Sequence, residues 1–82
     1  MLIKTITNSK RYDVVAKLNG TKNIGIELGV AEGNFSYQMM ESKKFIKFYG
    51  IDAYNDFQHN EDEYNLTKKK MSKFKNYELI KD

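Results

Sequence analysis

Glu27, Gly29, Gly33 and Asp52 combine residue types and spacings that suit a small-molecule site. The first three fall in the run Glu27-Leu28-Gly29-Val30-Ala31-Glu32-Gly33, directly after an alternating apolar stretch that reads as a strand. Gly29 can turn sharply off that strand and let a ligand approach the backbone. Gly33 can let a following helix start close to a sheet, and the first N–H groups of that helix then face an anionic ligand group. Asp52 ends a second apolar stretch. Taken singly, Glu27 is better explained as a polar strand end, and Gly29 and Gly33 as ordinary turn residues. Their combination favours a ligand site.

Two phosphate-binding patterns fail on spacing. A P-loop requires Gly-x-x-x-x-Gly-Lys-Ser/Thr, and no Lys-Ser/Thr pair follows Gly33. The dinucleotide fingerprint requires Gly-x-Gly-x-x-Gly, whereas the glycines here fall at 25, 29 and 33, without the close pair on which a pyrophosphate rests. Other candidates carry less. His59 is the sole histidine, set in the polar stretch Asn55 to Asp62, and reads as a solvated loop residue rather than a base or a metal ligand. No metal site is expected. Glu32 has two equal readings, loop contact or solvated side chain. Met39 and Met40 read as helix packing.

These residues need elements to hold them in place. A short helix is expected over 9–19, with Ser9 as its N-cap, Tyr12, Val15 and Leu18 on its apolar face and Gly20 as the left-handed residue past its end. A strand is expected over 23–28, from the alternation of Ile24, Ile26 and Leu28. A helix should follow over about 34–43, with Phe35, Met39 and Met40 on its buried side and Lys43 and Lys44 suiting its C-terminal dipole. A second strand is expected over 46–51. A second crossover helix, the third in all, is expected over 60–75, where Asn60 and Glu63 resemble a capping box. Its acidic residues, Glu61 to Glu63, lie in the first turn and its lysines, Lys68 to Lys75, in the later turns. Tyr64, Thr67, Met71 and Phe74 form its buried stripe, and a third strand is expected over 77–81. Strands joined by helices of this length run parallel with right-handed crossovers. The fold class is therefore α/β, a three-layer Rossmann-like half with a short parallel sheet of about three strands and flanking helices.

Composition sets the outer bounds. With 82 residues, the chain is one small domain near the lower size limit for a self-sustaining core. Its 40% hydrophobic and 30% charged residues mark it as globular. Cysteine is absent, which excludes disulfides and thiolate metal sites and suits a cytoplasmic setting. No apolar run has the length needed to cross a bilayer, and residues 1–10 have no continuous apolar core, so neither a membrane span nor a signal peptide is expected. The net charge of +3 is mild. Helix-dipole complementarity explains the lysines at 68–75 better than a nucleic-acid interface does.

What the glycine spacing does fit is Glu-x-Gly-x-x-x-Gly, with an acidic residue ending the second strand. "GIELGVAEGNFS" followed by "FYGIDAY" resembles the first and second motifs of class I, Rossmann-like S-adenosylmethionine-dependent methyltransferases. The resemblance covers the chain from about Arg11 to Asp82 and is specific in combination rather than in either motif alone. It implies that residues 1–82 are a single, partial cofactor-binding domain. Glu27, Gly29 and Gly33 match the motif whose loop wraps the methionine part and ribose of the cofactor, with Val30 and Ala31 within that loop. Asp52 matches the acidic residue that accepts hydrogen bonds from both ribose hydroxyls, a task suited to two carboxylate oxygens. Ala53 and Tyr54 fall where the family places side chains against the adenine, although Tyr54 by itself reads slightly better as a packed aromatic. Asp82 falls where the family often contacts the adenine amine.

The implied reaction is direct displacement at the sulfonium methyl, in which the enzyme mainly aligns the reactants. The methyl acceptor and any catalytic base are not identified. Members of the class continue with four more strands that supply most substrate groups, so the chain is expected to be the cofactor-binding N-terminal part and to leave one side of its first strand bare. Such an edge offers a surface for homo-oligomers. Two alternatives stay open: an NAD-type Rossmann nucleotide-binding enzyme, and a non-catalytic α/β interaction module.

Overall fold

The structure is a computed structural model that describes residues 15–82. Its elements are β1 (Asn23–Leu28), α1 (Asn34–Glu41), β2 (Phe45–Asp52), α2 (Glu61–Met71) and β3 (Tyr77–Lys81). The three strands form one parallel sheet in the order β1-β2-β3. This is the expected α/β half. Both right-handed crossovers step the same way across the sheet and so place both helices on one face. The core agrees, since Met39 and Met40 of α1, Met71 of α2 and Phe45 and Phe48 of β2 form one buried cluster. Among the described residues, two layers are therefore seen.

Residues 9–14 of the first expected helix lie outside the described residues. Residues 15–17 form a single 3₁₀ turn, not α-helix, closed by Leu18 N–H donating to Val15 O at 3.2 Å. Val15 and Leu18 nonetheless pack against the core as their apolar spacing requires. The second expected helix stops at Glu41, earlier than 43. The Ser42 hydroxyl donates to Met39 O at 2.5 Å, and Lys43 takes a left-handed φ of 61°. Lys44 consequently serves not the helix dipole but the 3₁₀ turn, its Nζ donating to Val15 O and Leu18 O at 2.8 and 3.1 Å. The third helix is shorter than 60–75, ending at Met71. Asn60 is its N-cap as expected, its side chain accepting from the N–H groups of Asp62 and Glu63. The Glu63 carboxylate does not complete a capping box but turns to His59. β2 is one residue longer at each end than expected, because Phe45 is buried and pairs with Asn23, and Asp52 pairs with Lys81.

β1 points its polar alternation inward. Glu27 is 8% exposed, whereas Ile24, Ile26 and Leu28 are 48%, 63% and 78% exposed. The inward positions are small or hydrogen-bonded because the helices and β2 crowd them. A Cβ on Gly25 would stand 2.5 Å from the Phe48 ring. Ser36 of α1 is fully buried and donates to the Glu27 carboxylate at 2.6 Å, while the Tyr77 hydroxyl donates to Ser36 Oγ at 3.1 Å. This chain of hydrogen bonds links β1, α1 and β3 through the core and offsets the cost of burying their polar atoms. Among the described residues, no helix is long and apolar enough to cross a membrane.

Candidate functional site at the carboxyl end of the sheet

Parallel strands deliver their connecting loops to one end of the sheet, and β1 and β2 finish there side by side, with Leu28 opposite Ile51. Gly29 leaves the strand at φ 82° while its N–H donates to Ile51 O at 2.8 Å. A tight turn follows, closed by Gly33 N–H donating to Val30 O at 2.9 Å. Gly33, also at φ 82°, is the N-cap of α1; it has no side chain to cap with, and the first turn of α1 carries no acid. A Cβ there would stand 2.9 Å from the Thr67 methyl, so glycine is also what allows α2 to approach.

Asp52 holds this loop. Its Oδ2 accepts the N–H groups of Val30 and Ala31 at 2.8 and 2.9 Å, and its Oδ1 accepts that of Tyr54 at 2.9 Å. Burial pushes the Asp52 carboxyl up. The three N–H groups outweigh it, helped by the nearby His59, and the pKa lies below the usual value. Ala31 and Tyr54 both take left-handed conformations, at φ 53° and 50°. Such residues are strained without glycine, and strain of this kind clusters at functional sites. The two are joined, since the Tyr54 hydroxyl donates to Ala31 O at 2.7 Å and Thr67 Oγ1 donates to the same oxygen at 2.8 Å. Tyr54 is 3% exposed; burial pushes its phenol up to about 12, against the opposing hydrogen bond with Thr67 and with a smaller addition from the Asp52 charge.

The loop walls a cleft of about 270 Å³ lined by Gly29, Val30, Ala31, Glu32, Asn34, Phe35 and His59. A second cleft of about 330 Å³ lies alongside, lined by Glu32, Glu63, Leu66, Thr67 and Lys70. Between them, His59 Nδ1 and Glu63 Oε1 are 2.6 Å apart. His59 is set by a turn in which Asp56 Oδ1 accepts the N–H groups of Gln58 and His59 at 2.9 and 2.6 Å. The hydrogen bond to Glu63 holds the imidazole pKa above its ordinary value. Lys70 braces the loop from α2, its Nζ reaching Asn34 Oδ1 at 2.7 Å and Glu32 O at 3.3 Å. Lys73 likewise crosses to the Tyr37 hydroxyl at 2.5 Å. Part of the lysine run therefore ties α2 to α1 and its loop.

Of the residues singled out in the sequence, Gly29, Val30 and Ala31 line the cleft, and Gly33 fixes the start of α1 behind it. Asp52 stands at the end of β2 and grips the loop backbone. Ala53 is half-buried beside it, and Tyr54 is packed beneath Ala31. Glu27 lies deeper, in the buried network with Ser36. Asp82 N–H donates to Asp52 O at 3.0 Å. Glu32 lines both clefts. His59, Asn34 and Phe35 also line the cleft, although their types do not mark them for a site. The spacing of His59 and Glu63, four residues apart, was the available signal, but the helix N-cap between them hid it. Among the described residues, no group of three or more His, Cys, Asp or Glu side chains could hold a metal ion. No protein-family model matches the chain, and neither a curated protein nor a solved structure does.

Proposed function

We propose that the chain binds S-adenosylmethionine as the cofactor-binding part of a Rossmann-like methyltransferase. The observation that carries the proposal is the Asp52 grip on the Gly29–Gly33 loop, which walls a cleft at the carboxyl ends of parallel strands. In open α/β sheets ligands bind at that end, beside the first strand. The cleft is near the lower limit of small-molecule sites, about 300–1,000 Å³, and so has room for a part of such a ligand. Glycine at 29 leaves the loop backbone open to that part.

S-adenosylmethionine supplies a methyl group on a sulfonium, transferred by direct displacement. The residues here bind and orient. The loop backbone meets the amino-acid end of the ligand. A carboxylate has roughly four acceptor positions, and three of those on Asp52 are taken by backbone N–H groups, so in this geometry Asp52 has room for one ligand hydroxyl. Titration calorimetry of the 82-residue chain with S-adenosylmethionine and S-adenosylhomocysteine tests the reading. Saturable binding of both is expected. Thermal protection by NAD in place of S-adenosylhomocysteine would give the site to a dinucleotide.

A second reading has its own observation. The exposed Ile24, Ile26 and Leu28 line the edge strand β1, a surface through which two copies could pair as a non-catalytic module. It predicts self-association with concentration on size-exclusion chromatography and no effect of either ligand.

A further inference from the structure

The wall of the cleft includes His59, a side chain that does not belong to the loop. Nδ1 of His59 sits 2.6 Å from a carboxylate oxygen of Glu63, and a carboxylate only accepts. The neutral imidazole therefore carries its proton on Nδ1, and its lone pair is on Nε2. The ring lines the cleft beside Glu32 and the loop, and its side chain is 39% exposed. A carboxylate that fixes one ring nitrogen sets both the tautomer and the orientation of the other.

Among the described residues, the charges around this ring have one dominant sign. Glu63 faces it from α2, Asp56 from its own turn and Asp52 from the end of β2, while Glu32 shares the cleft wall from the loop. Lys70, which reaches the loop from α2, is tied to Glu32 O and Asn34 Oδ1. A cleft of this kind selects a positively charged donor over an anion.

We propose that His59, oriented by Glu63, is a ligand-binding residue whose Nε2 accepts a hydrogen bond from the ammonium group of the ligand's amino-acid end. The proposal rests on the methyltransferase reading for the ligand and goes beyond it in naming a contact and a charge preference. An ammonium group only donates, so it cannot bond to His59 once the ring is protonated and Nε2 also donates. The imidazolium would repel it as well. Affinity for an ammonium-bearing ligand must then fall as pH drops through the His59 titration, which the hydrogen bond to Glu63 holds above the ordinary imidazole value. The same nucleoside without the amino-acid end has no such dependence.

Calorimetry with S-adenosylhomocysteine and 5′-methylthioadenosine, which lacks the amino-acid end, tests this on both sides of that titration. Wild type should bind S-adenosylhomocysteine about tenfold more weakly at the acid end and methylthioadenosine equally at both. His59→Ala should lose about tenfold in S-adenosylhomocysteine affinity on the alkaline side of the His59 titration, lose the pH dependence and bind methylthioadenosine unchanged. His59→Gln, which keeps an acceptor, should restore part of the affinity without restoring the pH dependence. Glu63→Gln, which removes the charge while keeping a partner for Nδ1, should move the midpoint to lower pH. If His59→Ala binds S-adenosylhomocysteine like wild type with the same pH profile, the proposal is wrong and the methyltransferase reading stands. If wild type binds neither ligand, both are wrong.

Discussion

Asp52 does a different share of work from what its sequence position implies. Its carboxylate is a fastener for the loop before it is anything to a ligand, accepting from Val30, Ala31 and Tyr54. Asp52→Ala leaves those N–H groups without their acceptor, and Val30 is only 3% exposed. The expected cost is about 1–3 kcal/mol of stability at neutral pH, read by urea denaturation. The depressed pKa gives the sign of the pH dependence. The contribution is full above the unfolded value near 3.8 and is lost as pH falls through the lower folded value. The gap between wild type and Asp52→Ala should therefore close on acidification. A gap of constant size would show that the fastening does not depend on the charge.

At the scale of elements, β1 separates hydrophobicity from burial. Its isoleucines face away from both helices, while Gly25 and Glu27 face toward them. The reason is the one-directional walk of β1, β2 and β3, which places both crossovers on the same side. Two substitutions contrast the faces. Met39→Ala removes a side chain that is 1% exposed at the centre of the core and should cost about 2–5 kcal/mol. Ile26→Lys alters a side chain that is 63% exposed and should stay within about 1 kcal/mol of wild type. Thermal or urea unfolding of the two variants checks this, and a large loss from Ile26→Lys would mean that something packs on that face.

The whole molecule should be limited at alkaline pH by two phenols that fasten different elements. Burial raises both Tyr54 and Tyr77 to about 12, from 10.0 in the unfolded chain. Tyr54 ties the β2–α2 connection to the loop, and Tyr77 ties β3 to α1 through Ser36. A raised pKa contributes stability that is complete below the unfolded value and lost as pH rises through the folded one. Stability should fall steeply as pH climbs from 10 toward 12, together with the ultraviolet signal of tyrosinate formation. In Tyr77→Phe the alkaline loss should be shallower. An unchanged slope would remove Tyr77 from the account.

The sequence by itself determined the parallel three-stranded half, because alternating strands, long crossovers and helix punctuation are local signals that this chain carries without conflict. Asn60 as a cap, Gly20 at φ 74° and the glycine loop after β1 belong to the same class of signal. Helix ends were less legible, since Ser42 and Lys43 stop α1 through hydrogen bonds and dihedrals that composition does not encode. The tertiary structure alone decided which face of β1 is buried, because alternation defines two faces and only the side taken by the helices chooses between them. It also decided what surrounds the cleft. Asp52 meets Val30 and Ala31 across more than twenty residues of chain, and Thr67 reaches Ala31 O across 36. His59 changes from a loop residue to a wall of the cleft because the β2–α2 connection returns over the end of β1. Contacts between distant segments depend on how the crossovers fold back, and no spacing along the chain records that.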